Sequence, residues 1–177
     1  EVHMAGLHLV DVKSGQSNVP YLKRHVPGKD FIGVHFASWV QGLLVRSGNP
    51  RHLRSVDDFG RPGIRLVNRE VGAGARFLLD MLLQKSGLAG EQIKGYDHEV
   101  ASHLDVARLI RDGMADVGIG VEAAARHCGL GFIPLREEHY DLIMRVEFLK
   151  SHPVMSQFLD AVVSQPFRWE IEALGGY

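Results

Sequence analysis

The chain has 177 residues, with 20 basic and 21 acidic side chains, a formal net charge of −1 and 45% apolar residues. This is ordinary globular composition and excludes disorder; about 70% of the unfolded surface is buried at this length, enough for one sizeable core or two small lobes sharing one. A near-neutral balance without a basic run excludes an electrostatic footprint for nucleic acid or an anionic membrane, and no apolar stretch approaches the roughly 18 residues of a membrane span.

The single cysteine, Cys128, excludes an internal disulfide framework and a zinc knuckle. Twenty glycines and ten histidines stand out. The glycines require tight turns or close backbone approaches in many places. The lone cysteine and the lack of a signal segment within these residues point to the cytoplasm. The periplasm stays open, because the chain begins at Glu1 and its start is not represented.

In chain order, residues 2–10 (VHMAGLHLV) read as a short strand running into the polar stretch DVKSGQSN. FIGVHFA at 31–37 and GLLV at 42–45 read as two strands, and SGNP at 47–50 as a turn. SVDDFGRPG at 55–63 is a helix-start-like loop ending in a Gly-Arg-Pro-Gly break, the best place for a boundary between lobes. IRLV at 64–67 follows as a strand. A helix then carries Phe77, Leu78, Met81 and Leu82 at helical spacing and stops at Gly87.

Residues 99–112 form a second expected helix, with Val100, Leu104, Ala107 and Ile110 on one face. ADVGIG at 115–120 reads as a strand, EAAARHCG at 122–129 as a helix, and FIPL at 132–135 and YDLIMR at 140–145 as separate strands. Pro153 opens a final helix that Pro166 ends, with one more short helix after it. This alternation, with short glycine-marked connections, indicates an α/β architecture with parallel pairing.

The segment between strand and helix at 68–76, NREVGAGAR, is the most informative. A helix start leaves N–H groups without partners and carries partial positive charge, so it favours anions. Gly72 and Gly74 permit close approach, Ala75 lies between Gly74 and Arg76, and Arg69 and Arg76 offer charge-assisted bonds beside Asn68. The segment lacks the third glycine of a dinucleotide fingerprint and the Gly-Lys-Ser/Thr of a phosphate loop. Two readings stand: a glycine-assisted strand-to-helix turn, and an anion or small-ligand site.

His98 and His103 are five apart, so they leave different faces of a helix and do not make a zinc pair. Ser102 is equally a helix cap and a ligand contact. His8 carries some functional weight because it precedes the polar loop from Asp11 to Asn18. The other histidines form no ligand-spaced pair, and no metal site is expected. Nor is there a Gly-x-Ser-x-Gly elbow, a nucleophile context at Cys128 or a spaced acidic cluster, so the chain is expected not to be an enzyme and to need no catalytic cofactor.

Taken in order, HMAGLHLVD, SGNP with VDDF, VNREVGAGARFLLD, GYDHEVASHLDVARLIRDGMADVGIG, REEHYDLIM and SQPFRWEIEALGGY resemble a known family. This is the periplasmic-binding-protein-like domain related to molybdate-binding proteins, found alone and fused to helix-turn-helix regulators and molybdopterin biosynthesis proteins. The resemblance covers nearly the whole chain. It implies an α/β, two-lobed type 2 periplasmic-binding fold with a ligand in the cleft. Residues 1–63 and 142–177 would form the first lobe, and 64–141 the second. Relatives often begin with a further strand and helix, so an N-terminal portion of the first lobe is expected to be missing.

The resemblance implies a sensor or receptor for an oxyanion such as molybdate or tungstate, or for a molybdopterin-type ligand. Backbone N–H groups from Gly72 to Arg76 would bind it and Arg69 and Arg76 would supply charge. Ser102 and His103 would line a facing helix start, Gly120 would end the following strand, and Tyr140 would lie near the hinge. Relatives commonly carry hydroxyls where this chain has Ala73 and Ala75, which argues for a larger ligand than bare molybdate. The alternative is an effector or dimerisation module of a transcription regulator or of a molybdenum-cofactor biosynthesis enzyme. Any DNA-binding or enzyme domain would then lie outside this chain, with no direct nucleic-acid contact here.

Overall fold

A computed structural model describes residues 3–8, 18, 22–24, 26–173 and 175. The ends of the first expected strand (Val2, Leu9 and Val10) and the polar loop at 11–17 lie outside these residues. So do His25 and Leu174. The chain divides into two compact units: a terminal unit within residues 1–39 and 138–175, and a central unit spanning 40–137.

The core of the central unit is built on the second half of a long strand, β2 (Phe31–Val45), paired antiparallel with β5 (Val117–Val121). Register runs from Gln41 opposite Val121 to Val45 opposite Val117. Alternate residues of a strand face opposite sides, and here both sides are covered. Leu43 and Val45 join one buried cluster with α1 (Gly74–Ser86), through Leu78, Leu79 and Leu83, and with the single-turn 3₁₀ segment Val56–Gly60, through Val56 and Phe59. Leu44 joins the other with α2 (His103–Arg111), through Val106, Ala107 and Ile110, and α3 (Glu122–Cys128), through Ala124 and Ala125. This explains why GLLV is an unbroken apolar run. Gly118 and Gly120 sit on the second face: a Cβ there would come within 2.5 Å of Val106 and Leu44 respectively. Both glycines are demanded by packing.

In the terminal unit, β1 (Met4–Leu7) pairs antiparallel with β6 (Gly131–Arg145), from Met4 opposite Met144 to Leu7 opposite Asp141. Three helices follow β6: α4 (Val146–Ser151), α5 (Val154–Val163) and α6 (Gln165–Ala173). Strand order in the four-stranded sheet is β1-β6-β2-β5, and a second, two-stranded sheet pairs β3 (Asn68–Arg69) with β4 (Glu99–Val100) in parallel.

Several expectations change. The β1–β6 and β2–β5 pairings of the larger sheet are antiparallel, and among the described residues parallel pairing is seen at β3–β4 and the Leu66–Val117 bridge. The strands expected at 31–37 and 42–45 are one, as are those at 132–135 and 140–145, because β2 and β6 each continue from one unit into the other. Pro166 begins α6 at its second position, where a missing N–H costs nothing, and does not end a helix. The unit boundaries fall after residues 39 and 137, whereas 63 and 141 were expected. Leu53, Val56 and Phe59 are buried in the same cluster as Ile64 and Leu66, so the Gly-Arg-Pro-Gly break is a turn inside one core.

Candidate functional site

Nine of the eleven expected site residues lie in the central unit, and His8 and Tyr140 lie in the terminal one. The segment from β3 to α1 is built by hydrogen bonds to the neighbouring strand. Asn68 N–H donates to the His98 carbonyl at 2.8 Å, and Glu70 N–H to that of Val100 at 3.3 Å. The buried Asn68 side chain donates to the Tyr96 carbonyl at 3.1 Å and accepts from Arg69 N–H at 2.9 Å. With both ends of its amide engaged, Asn68 is a clasp of the frame.

The chain then turns at Gly72, whose φ of +96° favours glycine, and a Cβ there would meet open space. Ala73 precedes α1 and makes no side-chain cap. The N–H groups of Gly74, Ala75 and Arg76 therefore have neither a helical partner nor a capping oxygen from Ala73, and Phe77 is the first to close the ladder, onto the Ala73 carbonyl at 3.0 Å. Ala75 is buried and its methyl packs into the core.

The two arginines are engaged differently from the expectation. Arg69 forms a two-pronged pair with Glu70, Nε to Oε2 and Nη2 to Oε1 both at 2.8 Å. Arg76 is buried; its Nε donates to both Asp80 oxygens at 3.1 Å, its Nη1 donates to Glu99 Oε1 at 2.7 Å, and its guanidinium lies 4.2 Å from the Tyr96 ring centroid. The Tyr96 hydroxyl completes the group by donating to Asp80 Oδ1 at 2.7 Å. The Arg69 hydrogen bonds hold the Glu70 carboxyl down at about 2, with the His103 imidazole contributing. Two cations thus face three carboxylates, and the arginines hold the junction rigid.

Ser102 is the cap of α2: its Oγ accepts from Asp105 N–H at 3.0 Å and donates to Asp105 Oδ2 at 2.6 Å. Of the two readings left open for Ser102, the structure displays the cap. His103 is the first residue of α2 and half-buried. Gly120 is buried opposite Gly42.

In the terminal unit, His8 Nδ1 lies 3.5 Å from Oε2 of the buried Glu138, and its ring lies near Trp39 and Tyr140, with centroids 5.8 and 6.0 Å away. Tyr140 covers Gly6, where a Cβ would collide with its hydroxyl. A polar cluster here was invisible in the sequence. Ser38 Oγ lies 3.1 Å from His35 Nε2 and 2.9 Å from His139 Nδ1, while His35 Nδ1 lies 3.2 Å from Asp141 Oδ1. Asn18 Nδ2 donates to Asp141 Oδ2 at 2.6 Å. The Ser38 hydroxyl can donate to one imidazole and accept from the other, and the histidine tautomers set which is which. Ser38 and His35 are three residues apart, but His139 and Asp141 lie about a hundred residues away, and only cross-strand pairing could have brought them in.

Among the described residues no group of three or more His, Cys, Asp or Glu is arranged to hold a metal ion, and no helix is long and apolar enough to cross a membrane.

The uncharacterized protein YvgK of Bacillus subtilis (strain 168) is 34% identical over 174 residues, 98% of this chain and 56% of that protein. The chain thus spans little more than half the length of that relative. Among solved structures, an ABC-type phosphate transport receptor from Vibrio cholerae is similar at 12% identity and a TM-score of 0.61, over 98% of this chain and 78% of the receptor. AncCDT-1, an ancestral amino acid-binding protein and precursor of cyclohexadienyl dehydratase, is similar at 13% identity and a TM-score of 0.60, over 92% of this chain and 67% of that one. These likenesses establish the type 2 periplasmic-binding fold. The PBP superfamily domain matches residues 1–163, and with two α/β units sharing the strands β2 and β6, this chain belongs to the PBP superfamily.

Proposed function

We propose that the chain is a non-catalytic small-ligand-binding domain, a sensor or receptor, whose ligand presents an oxyanion. One observation carries this reading: the uncapped start of α1, where Gly74, Ala75 and Arg76 leave N–H donors without helical partners behind the open turn at Gly72. Partial positive charge at such a start favours an anion. His103, at the start of α2 in the same unit, is the side chain best suited to add a contact.

The choice among molybdate, tungstate and a molybdopterin-type ligand follows from charge. Arg69 and Arg76 are matched by Glu70, Asp80 and Glu99, so a bare dianion would rest on backbone dipoles alone. Ala73 and Ala75 add no hydroxyls. A molybdopterin-type ligand, with further surface to contact, is favoured over the free oxyanion. The fold itself does not choose, since one structural neighbour is a phosphate receptor and another an amino acid-binding protein. Calorimetry with molybdate, tungstate and a molybdopterin tests the reading. The molybdopterin should give the tightest binding, and Gly72→Val should weaken it; no heat with any of the three refutes it.

A second reading, an effector or dimerisation module of a transcription regulator or of a molybdenum-cofactor biosynthesis enzyme, draws support from the greater length of YvgK. The reading frame flanking these residues separates the cases: a helix-turn-helix or enzyme domain supports a cytoplasmic module, and a signal peptide supports a periplasmic receptor.

A further inference from the structure

The central unit carries a second polar cavity that shares no residue with the α1 start. It has a volume of about 290 Å³ and is lined by Val45, Arg46, Asn49, Pro50, Arg51, Arg65 and Asp116. Three guanidiniums therefore face one carboxylate, a net charge of +2. Elsewhere in this unit Arg61, Arg69, Arg108, Arg111 and Arg126 each face a carboxylate of their own. In the cavity, by contrast, three guanidiniums share the single carboxylate of Asp116.

The cavity is also held in shape. Arg65 Nε donates to Asp116 Oδ2 at 3.0 Å, and its Nη2 donates to Asp116 Oδ1 at 3.3 Å and to the Gly113 carbonyl at 2.9 Å. Arg65 N–H adds a bond to Asp116 Oδ2 at 3.0 Å, and Arg51 Nε lies 3.4 Å from Asp116 Oδ1. Burial alone would raise the pKa of Asp116, but the Arg65 hydrogen bonds together with the charges of Arg65 and Arg51 outweigh it and hold the carboxyl below its ordinary value. Arg46 rests against Gly113, where a Cβ would collide with its Nη2.

The loop between β2 and Leu53 is braced as well. Asn49 has a φ of +47°, its side chain donates to the Leu53 carbonyl at 2.7 Å, and Leu53 N–H donates back to it at 3.0 Å. Of the five donors on each guanidinium, Arg65 keeps Nη1, Arg51 keeps both Nη groups, and Arg46 keeps all, free of any acceptor among the described residues. Planar forks of this kind match tetrahedral oxyanions in two-pronged fashion.

We propose that this cavity binds a phosphate group, free or as the monoester of a small metabolite. The volume, at the lower end of small-ligand sites, admits one such group with little attached. The excess charge of two matches a phosphate dianion, and Asp116 sets the spacing of Arg65 and Arg51 while the anion takes their outward donors.

Calorimetry on the full chain with inorganic phosphate and, separately, glycerol 3-phosphate tests this. Binding of either should weaken about tenfold or more in R46M/R51M, the weight of one or two charge-assisted hydrogen bonds. These positions leave the Arg65–Asp116 pair intact, and an unchanged circular dichroism spectrum verifies the fold. R46K/R51K, which keeps charge but loses the forks, should fall between the two. Tighter binding of glycerol 3-phosphate identifies an esterified ligand, and tighter binding of phosphate the free anion. No heat with either, or affinity unaltered in R46M/R51M, overturns the proposal, the latter because phosphate would then bind elsewhere.

Discussion

The two units solve the problem of covering a sheet differently. In the central unit β2 is enclosed on both faces, with Leu43 and Val45 against α1 and Leu44 against α2 and α3, all nearly inaccessible. In the terminal unit, among the described residues, burial is concentrated at Ala37, Leu142, Ile143, Met144 and Val162. Its aromatic side chains border an open apolar cavity of about 540 Å³, between Phe36, Trp39 and Tyr140 on the strands and Phe167 and Ile171 on α6. The lesson is that stability resides mainly in the central unit, whose rigid core also holds the α1 start and the arginine cavity. Rings half open to water contribute less, since burial energy scales with area removed from solvent.

The sharpest way to break this contrast is a pair of truncations. Leu78→Ala in the central core should lower unfolding free energy by about 2–5 kcal/mol. Phe167 is only partly buried and meets Phe36 edge-on at 5.6 Å, so Phe167→Ala should cost less, about 1 kcal/mol. Urea titrations giving equal losses would abolish the distinction.

A smaller effect is expected at the site itself. Gly72→Val forces a β-branched residue to a φ of +96° and should destabilise by about 1–3 kcal/mol, while Gly72→Ala should be milder. If thermal melts of Gly72→Val match the parent, the turn is not held as described. Next comes the α2 cap: Ser102→Ala should cost about 1 kcal/mol, and Ser102→Asp should recover most of it. A neutral Ser102→Ala would return Ser102 to the role of a ligand contact.

The mildest expected effect is acid sensitivity. Glu70 is depressed from 4.5 to about 2 in the folded chain, so the unfolded chain binds more protons there. Its contribution is complete above about pH 4.5 and is lost as pH falls through about 2. Asp116, also depressed, loses its contribution below its ordinary value of 3.8. Urea midpoints measured from neutral pH downward should fall in this window, and Glu70→Gln should flatten the slope. An identical slope in the variant would mean that the partly exposed Arg69–Glu70 pair is fully screened.

Much of the central unit was readable in advance. The helix through Phe77 and Leu82 stops at Gly87 as expected, because helical spacing of apolar residues followed by glycine is a local signal. The turn at Gly72 was readable for the same reason. The lobe boundary was not, since Gly-Arg-Pro-Gly marks a turn whether it separates cores or lies within one. Nor was the continuity of β2 and β6, where strand pairing overrides the apparent break between two apolar patches.

The candidate site divides along the same line. Its position at a strand-to-helix junction was visible, yet the state of its charges was not: Arg76 finds Glu99 23 residues away and Asp80 one turn on. The Ser38, His35, His139 and Asp141 cluster and the arginines around Asp116 likewise join residues far apart in the chain. By itself the sequence determined what depends on neighbours a few residues away: the helix that stops at Gly87, the glycine turn at its start and the α/β class. The helix expected over 99–112, by contrast, is the strand Glu99–Val100 followed by a helix from His103. Only the tertiary structure decided which charges meet, because pairing over tens of residues depends on how the core folds the chain back, and no local pattern encodes it.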